Sequence, residues 1–122
     1  MRGLNRVLFA GHATDRIIFA KTGQGAPVCT FVLVSERSST RGAVSATAKV
    51  NVYVESLVEA CRGKLEKGCY VLVEGELMNR DSPSGRATEV RAWELSFFDP
   101  PKSLRGGTLD EPSPRSDPDS DP

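Results

Sequence analysis

Histidine and tryptophan each occur once in these 122 residues, and the three cysteines are an odd number without a C-x-x-C spacing. A Ser-His-Asp arrangement would depend on His12 alone, in a turn at the end of a strand, so we predict no catalytic site and no enzyme. The thiols of Cys29, Cys61 and Cys69 match neither a disulfide framework nor a structural zinc pattern. We therefore expect reduced core cysteines, no metal site and no cofactor.

Long apolar runs are also absent. No segment approaches the ~18 consecutive apolar residues that a membrane span requires. The N-terminus carries arginines but no separate apolar stretch of the kind found in secretory signals. These absences predict a soluble, cytoplasmic protein that has no membrane partner.

The net charge is zero, from 16 basic and 16 acidic residues, but the charges are unevenly distributed. From Asp110 onward there are five acids and one base, which leaves 15 bases and 11 acids in residues 1–109. The body therefore carries +4 and the C-terminal end −4. A mildly basic body suits a polyanionic ligand, and an acidic end suits self-shielding or a basic partner. An ordinary mixed surface would give the same balance.

Pro100-Pro101 marks the clearest boundary along the chain. The residues that follow are mainly Gly, Ser, Pro and Asp, with almost nothing to bury. We predict one folded domain over residues 1–99 and a disordered acidic tail over residues 100–122.

Within the body, short β-rich runs separated by turn signals predict five strands. The runs cover residues 5–12 (resuming at 16–21, with Gly11 as a bulge), 26–35, 47–54, 69–79 and 87–98. Alternation along the second run places Cys29, Phe31 and Leu33 on one face. Residues 36–45 are polar and predict an exposed loop, and residues 80–85 predict a hairpin tip.

Between the third and fourth strands the apolar period becomes helical. Ser56 and Glu59 have the spacing of a capping box, and Gly68 is placed for a left-handed C-cap. The pattern alone predicts a small all-β barrel with one short helix.

Two motifs give this barrel a family resemblance. The chain opens with Leu4-Asn-Arg-Val-Leu-Phe-Ala-Gly11, and Val71-Leu-Val-Glu-Gly-Glu-Leu77 follows Lys67-Gly68 and precedes Thr88-Glu-Val90. Over residues 2–98 the chain thereby resembles the bacterial single-stranded DNA-binding protein family. The resemblance implies a five-stranded OB-fold Greek-key barrel with its helix between strands 3 and 4.

The same resemblance implies a function and partners. It implies a protein of DNA replication, recombination or repair, associated with the nucleoid, whose ligand is single-stranded DNA. It also implies a homo-oligomer (dimer or tetramer) and replication or repair proteins as further partners. RNA stays an alternative ligand, because contacts to the phosphate backbone alone do not distinguish the two sugars.

An OB barrel holds single strands with cations that track the phosphates and aromatic rings that stack on bases. The resemblance carries three family cations onto this chain: Arg2, Lys67 and Arg80. The predicted loops add three arginines of their own: Arg37, Arg41 and Arg86. We expect these six side chains on the rim of the binding cleft.

Aromatic rings are scarce where the family usually carries them. The four positions hold Ser38-Ser39, Ala48, Val54 and Asp81-Ser82. The resemblance therefore implies binding that is mainly electrostatic and depends steeply on salt. Alternation with Leu95 and Phe97 predicts that Trp93 is packed in the core, and Phe9, Phe31 and Tyr70 are predicted there too.

The third strand allows two registers that differ by one residue. An ungapped alignment with the family places Ala48, Val50, Val52 and Val54 on the nucleic-acid face, whereas a slip places Lys49, Asn51 and Tyr53 there. Lys49 and Tyr53 are binding candidates under the slipped register. An outward valine face would instead suit a protein contact.

The missing rings and a possible outward valine face together motivate an alternative function. The chain could be an OB-fold protein-interaction module of the primosomal replication protein B type, with weak or no affinity for DNA. The tail ends in proline and lacks the terminal hydrophobic residue of the family's partner-recruiting tails, so recruitment by that route is not expected.

Overall fold

The computed structural model describes residues 3–98, which form five strands and one helix. In chain order the elements are β1 (Val7–Lys21), β2 (Pro27–Ser39), β3 (Gly42–Val52), α1 (Glu55–Lys64), β4 (Tyr70–Ser82) and β5 (Gly85–Phe98). The predictions for Arg2 and for a disordered tail at residues 100–122 lie outside the described residues.

The strands close into a barrel in the order β1-β2-β3-β5-β4. β1 closes the barrel because it pairs with β2 along its second half and with β4 along its first half, both antiparallel. β3 and β5 form the one parallel ladder among the described strands. With α1 between β3 and β4, this is the OB-fold architecture, and the fold prediction is confirmed.

Strand alternation fills the barrel with apolar side chains. Cys29, Phe31 and Leu33 of β2 are completely buried, which confirms their predicted shared face. Val58 and Cys61 place the apolar side of α1 against the same core. All three cysteines are buried in this core, as predicted.

Residues of the two family motifs stabilise the barrel where its strands approach each other closely. The Asn5 side chain donates to the carbonyl of Leu77 and accepts from its amide, each at 2.8 Å, so it continues the contact between β1 and β4 beyond the pair Val7–Gly75. A Cβ at Gly11 would overlap the Val34 carbonyl, and one at Gly75 would overlap the Arg91 carbonyl. These positions therefore require glycine for steric reasons.

The bend of β1 is not at Gly11, where it was predicted. The register shift lies between Ala13 and Ile17, and β1 continues as a single strand through it. Gly11 serves the close approach of β2 instead.

Both predicted polar loops are longer hairpins than expected. The β2–β3 ladder continues to Ser39 opposite Gly42, so residues 36–45 are mostly strand and not a loop. The β4–β5 ladder likewise reaches Ser82 opposite Gly85. These ribbons extend beyond the barrel, where both faces meet water, so polar side chains are compatible with strand and no apolar alternation marks them.

The predicted ends of the helix are also wrong. α1 begins at Glu55 after Val54, which makes no side-chain capping bond, so Ser56 already lies inside the first turn. The helix ends at Lys64, with Leu65 as its C-cap. Gly68 does have a positive φ of 90°, but it lies in the following turn, where its amide donates to the Ala13 carbonyl at 2.8 Å.

Phe31 is buried and Phe9 packs against the core as predicted, but Trp93 and Tyr70 are 45% and 36% exposed. For Trp93 the reason is a bulge. Glu94 pairs with Glu74 and Ala92 with Gly75, which leaves Trp93 as an extra residue on β5. The extra residue shifts the alternation, so the indole lies outside the barrel.

Replacing Gly75 with alanine should destabilise the barrel by about 1–3 kcal/mol, because the new methyl group would overlap the backbone of β5. The free energy of unfolding from urea denaturation at a fixed protein concentration measures this. Gly63, in α1 and open to solvent, is the matched control. Gly63→Ala should stabilise by about 0.5–1 kcal/mol, and a Gly75→Ala protein as stable as wild type would contradict the prediction.

Candidate nucleic-acid interface

The structure decides the register of β3. Val50 and Val52 are completely buried in the barrel, so Lys49 and Tyr53 point outward. Asn51 shares their face, although neighbouring side chains cover it. The slipped register is therefore correct, and the ungapped placement of a valine face on the outside is wrong.

A shallow groove of about 340 Å³ crosses the outside of β1, β2 and β3 and ends against the base of the β4–β5 hairpin. Its polar side holds the three cations Lys21, Lys49 and Arg80. Its lining is completed by Ile18, Ala20, Val28, Thr30, Asn51 and Tyr53. Cations and apolar surface thus lie side by side, as a chain of phosphates and bases would need.

A buried carboxylate joins the cations of this groove. Glu89 of β5 is only 5% exposed, and its Oε1 accepts from Asn51 Nδ2 at 2.8 Å and from Arg80 Nε at 2.9 Å. Its Oε2 lies 3.5 Å from Lys49 Nζ. Thr30 extends the network by donating to Asn51 Oδ1 at 3.0 Å. Glu89 therefore connects side chains of β2, β3 and β4.

The environment keeps Glu89 ionised. Burial by itself raises the pKa of Glu89, but hydrogen bonds from Arg80 and Asn51 and the charge of Lys49 outweigh it and lower the pKa below its ordinary value. The hydrogen bonds to Glu89 and then to Tyr53 raise the pKa of Arg80. At neutral pH the network therefore holds two cations and one anion.

Tyr53 is the aromatic side chain of the groove. Its ring is partly exposed, and its hydroxyl accepts from Arg80 Nη2 at 3.1 Å. Ile18 of β1, 61% exposed, adds an apolar surface to the same groove. A partly exposed ring that is held at its hydroxyl can stack on a base.

The predicted site residues fall into two groups. Lys49, Tyr53 and Arg80 come together in the groove. The remaining described candidates do not line it: Arg37, Arg41, Lys67 and Arg86.

These other candidates occupy three places. Arg37 and Arg41 lie on the β2–β3 hairpin. Alternation along β2 places Arg37 on the same face of the sheet as Phe31 and Leu33, which is the face away from Lys49. Arg86 lies on the β4–β5 hairpin and pairs with Asp81 at 2.9 Å. Lys67 lies in the turn between α1 and β4.

Asn51 was expected on this face only under the slipped register. The residues missed from the sequence include Ile18 and Lys21 of the lining and Glu89, which contacts Lys49 and Arg80. The parity of β1 could have identified Ile18, which lies on the outer face of its strand. Glu89 belongs to the Thr88-Glu-Val90 motif, but only the pairing of β5 with β3 and β4 brings its carboxylate to Lys49 and Arg80.

Two other kinds of site find no support in the described part of the chain. Residues 3–98 contain no group of three or more potential metal ligands. Within the same range, no helix is long and apolar enough to cross a membrane.

Glu89→Gln should lower the free energy of unfolding at pH 7 by about 1–3 kcal/mol, because a neutral amide cannot satisfy the same donors. Since the folded-state pKa of Glu89 is lowered, its stabilisation is present above the unfolded-state pKa and is lost as pH falls through the folded value. The difference between wild type and variant should therefore shrink below about pH 4.3. Denaturation from pH 7 to pH 3 measures it, and exposed Glu94→Gln, the control, should change stability by less than about 0.5 kcal/mol. A difference that stays constant with pH would contradict the prediction.

Comparison with known proteins identifies the family. The model of the single-strand binding protein family matches residues 4–98. The chain is 31% identical over 121 residues to single-stranded DNA-binding protein 2 of Chlorobaculum tepidum, covering 91% of this chain and 80% of that protein. It is also 31% identical over 125 residues to the single-stranded DNA-binding protein of Caldanaerobacter subterraneus subsp. tengcongensis, covering 97% and 83%.

Solved structures share the fold. The Plasmodium falciparum SSB in complex with single-stranded DNA superimposes with a TM-score of 0.72 at 22% identity, over 81% of this chain and 98% of that one. A deletion mutant of the single-stranded DNA-binding protein from Thermus aquaticus gives 0.69 at 25% identity, over 80% and 52%. From the family match and the two curated relatives, the chain belongs to the single-strand binding protein family.

Proposed function

We propose that the protein binds single-stranded DNA in the groove formed by β1, β2, β3 and the base of the β4–β5 hairpin. The observation that carries the proposal is the convergence of Lys49, Tyr53 and Arg80 in a groove that also exposes Ile18. Proteins of the family are binding proteins, and two relatives are named as single-stranded DNA-binding proteins. We propose no catalytic activity for the chain.

Different side chains of the groove suit the phosphates and the bases of single-stranded DNA. Lys21, Lys49 and Arg80 can neutralise phosphates, while Tyr53 and Ile18 offer surfaces to bases. One ring supplies little stacking, about 1–3 kcal/mol per base, so the counterion-release contribution of the cations dominates affinity. Binding should therefore weaken steeply as salt rises.

The protein-interaction alternative is not favoured. It was motivated by the missing aromatic rings and by an outward valine face on β3. Val50 and Val52 of that face are inside the barrel, and Tyr53 supplies one ring to the groove. The family match and the names of the two relatives also favour the first hypothesis.

We further propose that the protein assembles into a homo-oligomer, a dimer or tetramer. Residues 7–10 of β1 pair with β4, and none of the described strands pairs with their other edge. The adjacent outer face carries a row of three rings, His12, Tyr70 and Phe98, whose successive centroids are 4.9 and 6.4 Å apart. An open edge beside exposed rings and the exposed Leu8 would be covered by a second copy of the chain.

The cellular setting follows from the proposed ligand. Single strands are exposed during DNA replication, recombination and repair, so we propose that the protein acts there, in the cytoplasm with the nucleoid. Replication or repair proteins remain proposed partners.

The DNA-binding proposal is tested by fluorescence anisotropy with labelled oligo-dT at 50 and 150 mM NaCl. Wild type should bind, and more weakly at the higher salt. Tyr53→Ala should weaken binding roughly 5- to 150-fold, the range expected for one stacked base. Arg80→Ala should weaken binding and lower the salt slope by about 0.7.

Arg62→Ala, on α1 and outside the groove, is the control and should bind as wild type does. Tyr53→Phe keeps the ring and should retain most of the affinity. A parallel titration with oligo-rU tests the RNA alternative. No binding of oligo-dT by folded wild type at 50 mM salt would refute the proposal.

The oligomer is tested by multi-angle light scattering at micromolar concentration. Wild type should elute with the mass of a dimer or tetramer, and Tyr70→Glu should shift it towards the monomer, because a carboxylate cannot be buried unpaired in the interface. Glu94→Gln, an exposed change elsewhere on β5, should leave the mass unchanged. A monomeric wild type would contradict the proposal.

A further inference from the structure

The position of Glu89 conflicts with simple attraction of a polyanion. A carboxylate only 5% exposed contacts two of the three cations that line the groove, and its charge opposes theirs. With Lys49 and Arg80 it leaves a local charge of +1 where the two cations alone would give +2. A groove built only for Coulomb attraction would not hold an anion there.

The contacts of Glu89 show what the anion contributes to the groove. It binds Arg80 through Nε, and Arg80 in turn reaches the Tyr53 hydroxyl through Nη2. A guanidinium has five N–H donors in a rigid fork, so two directed bonds fix its plane and leave N–H groups for a phosphate. Lys49 likewise keeps N–H groups for a phosphate beside its ion pair with Glu89, because an ammonium group has three N–H donors.

We propose, on the basis of the function proposed above, that Glu89 is a positioning residue for single-stranded DNA. It fixes the Arg80 guanidinium and, through Arg80, the Tyr53 ring, and in doing so it withholds one unit of positive charge from the strand. The groove thereby gains a stacking surface of defined orientation and loses part of its salt-dependent attraction.

The low pKa of Glu89 supports this role, because the carboxylate stays charged throughout the neutral range. In this role Glu89 affects two components of binding, the phosphate contacts and the stacking, and these respond differently to salt. Phosphate contacts weaken as salt rises, whereas stacking on a fixed ring does not.

The experiment is a salt titration of oligo-dT affinity, from 25 to 300 mM NaCl, for wild type and Glu89→Gln. Removing the anion should steepen the slope of log K against log salt by about 0.7 for each phosphate newly engaged. At 25 mM the variant should bind at least as tightly as wild type. At 300 mM it should bind roughly fivefold more weakly or worse, because Tyr53 is no longer held for stacking. The two lines should cross.

Two further variants separate positioning from charge. Arg80→Lys keeps the charge but cannot fork between Glu89 and Tyr53, so it should keep the wild-type slope and lose affinity at 300 mM. Adding Glu89→Gln to Arg80→Ala should cost nothing more at 300 mM, because Glu89 acts on Tyr53 through Arg80.

Glu76→Gln is the matched control. Glu76 lies on the outside of β4, outside the groove, with its Oε2 3.6 Å from Arg91 Nε. Losing this carboxylate should leave both slope and affinity unchanged.

Circular dichroism checks that each variant is folded. If Glu89→Gln does not fold, Glu89→Asp replaces it, because the shorter carboxylate keeps the charge but withdraws from Arg80. It should keep the wild-type slope and lose affinity at 300 mM.

Parallel lines, or tighter binding by Glu89→Gln at every salt concentration, would overturn the positioning role while the proposed function stands. So would a Glu89→Asp protein with wild-type affinity at 300 mM. If folded wild type binds no oligo-dT, the proposed function and the positioning role fall together.

Discussion

Closure of the barrel by β1 is the constraint on which the rest of the structure depends. One strand pairs with β2 and with β4, so the sheet has an interior, and each residue of the barrel points either into it or outward. The close approach needed for closure explains the glycines at positions 11 and 75, where a methyl group would meet backbone. Because Val50 and Val52 lie in the interior, Lys49 and Tyr53 must face outward.

The candidate site is a consequence of that outward face and of pairing between distant segments. Lys49 comes from β3, Tyr53 follows directly after it, Arg80 comes from β4 and Glu89 from β5. Hydrogen bonds or ion pairs link these side chains into one network. Replacing such a buried ionic network with apolar residues is often neutral or stabilising, so its presence is weak evidence of a contribution to stability. Its geometric effect is clearer, because it holds a flexible arginine and an aromatic ring in one orientation.

The sequence was sufficient for the fold and for part of the site. Alternation at Phe31 and Leu33, the helical period after β3 and the two motifs predicted the barrel correctly. Periodicity could not choose between the two registers of β3, because Val50 and Val52 alternate as regularly as Lys49 and Tyr53. Trp93 was misplaced because a bulge adds one residue to β5, and the partner strand, not the local pattern, determines where that residue falls. The long-range contacts of Glu89 left no local signal for the same reason.

The two hairpins that extend past the barrel also affect motion. Beyond the core they are two-stranded ribbons held mainly by backbone hydrogen bonds, and such ribbons are marginally stable by themselves. They should open locally at a much lower free energy than global unfolding, so their amides should exchange with deuterium before those of the barrel. Arg37, Arg41 and Arg86 therefore lie on hairpins that can change conformation, whereas Lys49 lies on the part of β3 that belongs to the barrel. A single strand bound in the groove would therefore contact the rigid barrel, next to two hairpins that can change their conformation.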